Sequence, residues 1–335
     1  MKLNLIKEKI FNSQNISTDE TKYIFDLIMN GEMSEVESAG ILIGLKIKSE
    51  SKDEILGAAK SMREKSLKIS SPENTIDTCG TGGDMSGTLN ISTSAAIVAA
   101  SAGAKVAKHG NRSISSKSGS ADMLEKIGYK ISADQNYLEN SLSKNNFCFL
   151  FAQYHHSAMK NVINVRKQLG TRTIFNLLGP LTNPAGTKKQ LLGVYDSKWV
   201  KIHCEVLKDL GSSHALVVHG EDGLDEISLS APTKIAELKN GRIIEYVFNP
   251  QDYGYSLIQN SDIQGRDPDY NAKTFMQMLD GLNKKFQHIV ELNAGAALYL
   301  SQKSKSFKEG FELARHVIDT NITKQYLEKL INYNE

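Results

Sequence analysis

Five consecutive residues, Gly80-Thr81-Gly82-Gly83-Asp84, mix three glycines with a hydroxyl and a carboxylate. Glycines let backbone N–H groups crowd together and point inward, which suits a loop that grips an anion. Strand-type Thr75 to Thr78 precedes it and helix-type Ile91 to Ala102 follows, so free amides and a positive helix end meet at one spot suited to phosphate. Two familiar phosphate motifs fail. Met85 stands where GxGxxG needs glycine, and Thr88-Leu89 follows Gly82-x4-Gly87 where a P-loop needs Lys-Ser/Thr.

More candidates follow along the chain. Asn90-Ile91-Ser92-Thr93 opens the helix with three short polar side chains; capping accounts for one, and three together favour ligand contact. Lys108-His109-Gly110-Asn111-Arg112-Ser113-Ile114-Ser115-Ser116-Lys117-Ser118-Gly119-Ser120-Ala121-Asp122 follows a second strand candidate, Ala104 to Ala107. Its basic residues bring charge, its serines and glycines bring donors, and the carboxyl end of a strand is where α/β sheets bind ligands. The plain alternative is a solvated basic loop. Asp225-Glu226, after strand-type Ala215 to Val218, offers adjacent carboxylates for a hard cation such as magnesium, although acidic turns alone are usually just solvated. Arg166, in the helical Val162 to Thr173 segment, suits a surface salt bridge or a bidentate grip on a substrate carboxylate.

These residues need a scaffold. Residues 1–70 read as short helices, each started by a serine three residues before a glutamate: Ser17 and Glu20, Ser34 and Glu37, Ser51 and Glu54. Ile24, Leu27 and Ile28, then Leu42, Ile43 and Leu45, then Ile55, Ala59 and Met62 recur at helical spacing and predict packing faces. After Ser70-Ser71-Pro72 the pattern becomes strand, loop, helix, strand, the start of an α/β domain. Phe147 to Phe151, Leu191 to Val194, Ala215 to Val218 and Ile243 to Val247 read as further strands, with helices near Ser120 to Ile127, at Trp199 to Leu210, and from about Asp269 onward.

A chain of 335 residues fits two domains: a helical one over 1–70, completed by helices within 160–185, and an α/β one over 71–335. Its 40 basic and 38 acidic residues give a formal charge of +2, so no global field recruits nucleic acid or membrane. Cys79, Cys148 and Cys204 form neither a disulfide framework nor a zinc motif. The first residues lack a signal-peptide pattern and no run approaches the roughly 18 apolar residues of a membrane span, which points to the cytoplasm.

Taken together the motifs closely resemble the anthranilate phosphoribosyltransferases. The resemblance rests on Asp77 to Asp84, Asn90 to Thr93, Lys108 to Asp122, Val165-Arg166 through Asn176-Leu177-Leu178-Gly179-Pro180-Leu181-Thr182-Asn183-Pro184, and Asp225-Glu226, in order along nearly the whole chain. It implies a nucleoside phosphorylase-like phosphoribosyltransferase fold, a small all-helical domain plus a larger α/β domain with a mostly parallel sheet. It implies transfer of the phosphoribosyl group of 5-phosphoribosyl-1-pyrophosphate (PRPP) to the amine of anthranilate, releasing pyrophosphate, in the tryptophan pathway. By the same resemblance Gly80, Gly83, Asp84, Thr88, Asn90, Ile91, Ser92, Thr93, Lys108, Asn111, Arg112, Ser113, Ser115, Ser116 and Ser120 bind PRPP. Gly80, Asn111, His156 and Arg166 line the anthranilate side, and Ser92, Asp225 and Glu226 go with Mg2+. A homodimer is implied, and association with anthranilate synthase components enters as a further partner expectation. The family commonly has prolines in Phe-Ala-Pro and His-Pro-Ala-Met, whereas Gln153 and Ser157 stand here, which predicts a looser backbone around His156.

Displacement of pyrophosphate from an anomeric carbon demands stabilisation of a departing anion and positioning of a neutral amine rather than a nucleophile-base dyad. Lys108 and a cation on Asp225 and Glu226 are expected to offset the charge, Arg166 to orient the carboxylate and Asn111 the amine side. His109 is the nearest base, with loop shaping or stacking on substrate its alternative. A pyrimidine-nucleoside phosphorylase fits less well, because its loop does not read Lys-His-Gly-Asn-Arg. A nucleic-acid-binding relative is disfavoured by the near-neutral charge.

Overall fold

The computed structural model describes residues 2–112 and 117–333. Helices α1 (Lys2–Phe11), α2 (Thr18–Asn30), α3 (Glu35–Lys48) and α4 (Lys52–Glu64) come first. The serine caps start them as the spacing predicts, with one difference. Ser17 and Ser51 form reciprocal boxes with Glu20 and Glu54, whereas Glu37 does not reach back to the Ser34 amide, because its carboxylate bonds Lys7 at 3.0 Å and the Ser34 hydroxyl at 2.9 Å.

The α/β part runs β1 (Ile76–Gly80), α5 (Ile91–Ser101), β2 (Val106–Gly110), α6 (Ser120–Lys126), α7 (Gln135–Asn145), β3 (Phe147–Phe151) and α8 (Ala152–His155). Helices α9 (Ile163–Leu169) and α10 (Ile174–Leu178) lead to β4 (Lys189–Gly193), α11 (Trp199–Asp209), β5 (His214–Gly220), β6 (Thr233–Lys239) and β7 (Arg242–Phe248). The chain closes with α12 (Pro268–Leu279), α13 (Lys284–Leu300), α14 (Phe307–Asp319) and α15 (Ile322–Ile331). Strand β6 has no counterpart in the sequence reading. Its Ala236, Glu237, Leu238 and Lys239 are good helix formers, and only pairing with β5 and β7 makes them extended.

The seven strands lie in the order β3-β2-β1-β4-β5-β6-β7, parallel through β5 and antiparallel at β6 and β7. Because β2 and β3 extend to one side of β1 and β4 to the other, the order reverses beside β1. In open α/β sheets the crevice above the strand ends at such a reversal is where ligands sit. Strand alternation divides the core: Leu216 and Val218 of β5 join the cluster of α5 and α13, while Ala215 and Val217 join the cluster of α1 to α4. Val162, Val165, Ile174, Phe175, Leu177 and Leu178 of the returning segment pack in that second cluster, so it hangs over the strand ends.

Candidate functional site

The Gly loop leaves β1 at the reversal. Gly82 (φ +64°), Gly83 (+74°), Met85 (+61°) and Gly87 (+61°) hold it in left-handed conformations, a curl that glycine adopts without a Cβ penalty. Thr81 donates its amide to Gly193 O at 2.9 Å. The Asp84 carboxylate turns back to accept the Ser86 amide at 3.2 Å. At the exit Gln264 Nε2 and the Gly265 amide both donate to Gly87 O, at 2.5 and 2.8 Å, and Thr88 forms a bridge with Gln264.

The acidic pair follows β5 and meets this loop. Asp225 Oδ2 accepts the Gly82 amide at 2.8 Å, and Glu226 Oε1 accepts the Ser92 amide at 3.1 Å. The approach requires glycine: a Cβ on Gly80 would overlap the Asp225 carboxylate, and one on Gly193 would overlap its backbone oxygen. Burial first, then the charge of Asp84, pushes the Asp225 carboxyl up; burial, then Asp225, does the same to Glu226.

Lys108, 2% exposed, lies beneath. Its ammonium donates to Thr78 O at 2.6 Å and to Ser92 Oγ at 3.3 Å. Burial pushes its pKa down against the pull of Asp77, Cys79, Glu226 and Asp225. Its charge therefore underlies the Ser92 corner of the cradle. Asn90 makes no cap bond; its amide donates to Ser118 O and accepts from Asn271, tying the two loops and α12 together. Thr93 is buried. Ile91 is a correction: its side chain lies in the core and its amide is spent on Leu89 O, so neither is free for a ligand.

The second loop is anchored at its base, where Ser120 Oγ and the Ala121 amide both donate to Asn111 O. Ser113, Ser115 and Ser116 lie outside the described residues. Arg112 turns outward to pair with Asp122 and Glu125 at 2.8 and 2.7 Å, and it lies over the Phe151 ring, rather than pointing to the cradle. His109 donates its amide to buried Asp77 at 3.0 Å; its Nδ1 meets Gly179 O at 3.2 Å and its Nε2 meets His156 Nε2 at 3.2 Å. Both ring nitrogens are engaged and burial drives its pKa well down, which disfavours the base role and supports loop shaping. His156 is likewise neutral, its pKa lowered to about 4 chiefly by burial. Around His156 the chain forms α8 and a 3-10 turn, Ser157–Asn161, and exposed Gln153 bonds Asn111 Oδ1 at 3.4 Å.

Arg166 projects from α9, half-buried, its guanidinium 5.4 Å from the Phe175 ring centre. No carboxylate pairs with it among the described residues, and burial lowers its pKa, so it stands ready for an external anion. Several residues near the cradle carry no motif: Arg172 bonds Gly83 O, Tyr195 bonds Thr81, Gln190 bonds Asp77, and Gln264 and Asn271 close the exit. They act through neighbours distant in sequence, and Arg172 alone, beside Arg166, carried a hint.

Among the described residues no three carboxylate, histidine or cysteine side chains form a ready-made metal cage. Magnesium is commonly held by one or two carboxylates together with substrate phosphates. Two carboxylates pushed up by burial and by neighbouring carboxylates, Asp84 on Asp225 and Asp225 on Glu226, are the donors that such a cation would ionise, so the residues fit it.

Comparison with known proteins identifies the family. Residues 72–323 match the model described as the glycosyl transferase family, a/b domain, and residues 4–66 match its helical bundle domain. The anthranilate phosphoribosyltransferase of Thermoanaerobacter sp. (strain X514) is 46% identical over 327 residues, 97% of each chain. The crystal structure of anthranilate phosphoribosyltransferase from Thermus thermophilus superposes with a TM-score of 0.91 at 38% identity, covering 97% of this chain and 98% of that one. The Saccharomyces cerevisiae enzyme in complex with PRPP and Mg gives 0.89 at 26% identity, covering 98% and 97%.

Proposed function

Because the chain belongs to the anthranilate phosphoribosyltransferase family and performs that step of tryptophan biosynthesis, we propose the following division of labour in its site. The Gly80 to Asp84 loop, Asn90, Ser92 and Thr93 hold the phosphates of PRPP, with Lys108 supplying positive charge from below. Thr88, Asn111 and Ser120 complete that contact. Asp225 and Glu226, with Ser92, hold Mg2+, and the ion when bound supplies positive charge beside the departing pyrophosphate. Arg166 grips the anthranilate carboxylate, while Gly80, Asn111 and neutral His156 and His109 line its ring and amine. Side chains thus hold both substrates in line.

One observation carries this reading: the two amides that open the cradle, Gly82 and Ser92, donate to the two adjacent carboxylates Asp225 and Glu226. A phosphate loop and a cation pair so joined form one unit for a metal-bound polyphosphate. The test follows loss of anthranilate fluorescence on mixing the protein with PRPP and magnesium, for the parent and for Asp225→Asn with Glu226→Gln. Full activity in the double variant removes the metal role, and thymidine with phosphate in a parallel mixture tests the phosphorylase alternative.

We further propose a cytoplasmic homodimer formed through the helical unit. Supporting it, Phe11 of α1, Val36 and Ile47 of α3 and Ile163 of α9 are 55%, 83%, 77% and 62% exposed, bare apolar side chains on helices that pack against one another. No helix among the described residues is long and apolar enough to cross a membrane.

A further inference from the structure

Arg172 reaches from the connector between α9 and α10 to the crown of the Gly loop. Its Nη2 donates to Gly83 O, and its guanidinium carbon lies 4.4 Å from the centre of the Tyr195 ring. Tyr195 in turn donates its amide to Thr81 Oγ1 at 3.1 Å. A stacked Arg–Tyr pair therefore holds the loop at two points, Thr81 at its entrance and Gly83 at its crown. No carboxylate bridges to Arg172 among the described residues, so its geometry is set by these contacts. A Cβ on Gly83 would sit 3.2 Å from Arg172 Nε, close enough to press on the guanidinium, and Gly83 is already in a left-handed conformation (φ +74°).

The consequence follows from the peptide unit. In a trans peptide the carbonyl and the next N–H point in opposite directions. Fixing Gly83 O on Arg172 therefore turns the Asp84 N–H away from Arg172, and the same constraint orients a loop whose left-handed residues otherwise leave it several conformations. We propose that Arg172 is a positioning residue for PRPP: it sets the Gly83–Asp84 peptide so that its amide faces the phosphates, and it ties that setting to the helical unit that carries Arg166. It acts through the loop and touches no reacting atom. A planar guanidinium can stack flat on Tyr195 while donating in its plane; a lysine ammonium donates but is not held. This rests on the reading of the Gly loop as the PRPP cradle.

The test uses full-length Arg172→Gln and Arg172→Lys, with Ser92→Ala as a probe of the cradle itself. KM for each substrate and kcat are measured together with the melting midpoint. Loss of preorganised binding raises KM with little change in kcat, so the PRPP KM is expected to rise about tenfold for lysine and more for glutamine, with the anthranilate KM and kcat within about threefold. An unchanged PRPP KM in a folded variant, or equal rises for both substrates, overturns the proposal. If Arg172→Gln is unfolded at the assay temperature, Arg172→Lys carries the test on the same criteria. Should Ser92→Ala raise the PRPP KM while the Arg172 variants do not, the site assignment stands and Arg172 is not its positioner; should none of the three raise it, the loop is not the cradle and both readings fall.

Discussion

Asp225 Oδ2 accepts the backbone N–H of Gly82 at 2.8 Å, joining residues 143 apart in the chain. The bond makes the acidic turn after β5 and the Gly loop after β1 one object, and it depends on glycine at positions 80 and 193. Four predictions concern that object and the substrates around it.

Asp225→Asn with Glu226→Gln is expected to lower turnover by roughly 100-fold or more while the fold persists. The same variant should be more stable than the parent at pH 8 without metal. Both carboxyls have folded-state pKa values above the ordinary range, so stability from this pair is present at acid pH and lost as pH rises through the raised values. Melting in chelator at pH 5.5 and pH 8 checks it, and a double variant less stable than the parent at pH 8 contradicts it.

Arg166→Ala should raise the anthranilate KM by roughly 10- to 100-fold, the worth of a charge-assisted pair, and the PRPP KM by less than about threefold. Steady-state kinetics with each substrate varied in turn gives the answer. Equal changes would remove its assigned role.

Gly193→Ala places a methyl on the Asp225 backbone oxygen, so the acidic turn must shift. Overpacking of this kind costs about 1–3 kcal/mol. Because the displaced residue is Asp225, the magnesium concentration for half-maximal rate should rise as well. A variant that loses stability but keeps the parent's magnesium dependence would separate the two effects.

His109→Gln should keep the shape of the kcat/KM profile between pH 6 and 9. His109 is neutral throughout that range, its pKa driven down by burial and then by His156, and both its nitrogens are bonded. Disappearance of an acid limb in the variant would restore His109 as a base.

The helical start, the parallel sheet and the order of the chemistry-bearing loops were legible because each has a local cause. Ser17 and Ser51 mark helix starts through glutamates three residues on, and Phe147 to Phe151 reads as a strand because it is continuously apolar between turn residues. Lys108, Asp225 and Glu226 stood out as charges beside glycine-containing loops that follow strands, and Arg166 as a charge among the apolar positions of a helix. Strand β6 did not, since its residue types favour helix and its pairing is with partners on both sides.

By itself, then, the sequence singled out the residues whose chemistry suits phosphate, cation and carboxylate, since glycine, ammonium and carboxylate chemistry is local to each motif. Only the tertiary structure decided their working states: Ile91 packed into the core, Arg112 drawn off to Glu125, His109 locked neutral against His156, and Asp225 and Glu226 forced upward in pKa. Those outcomes depend on burial and on neighbours brought together from β1, β2, β4 and β5 and the α9–α10 connector. Desolvation and hydrogen-bond partnership across such distances exist only once the chain has folded.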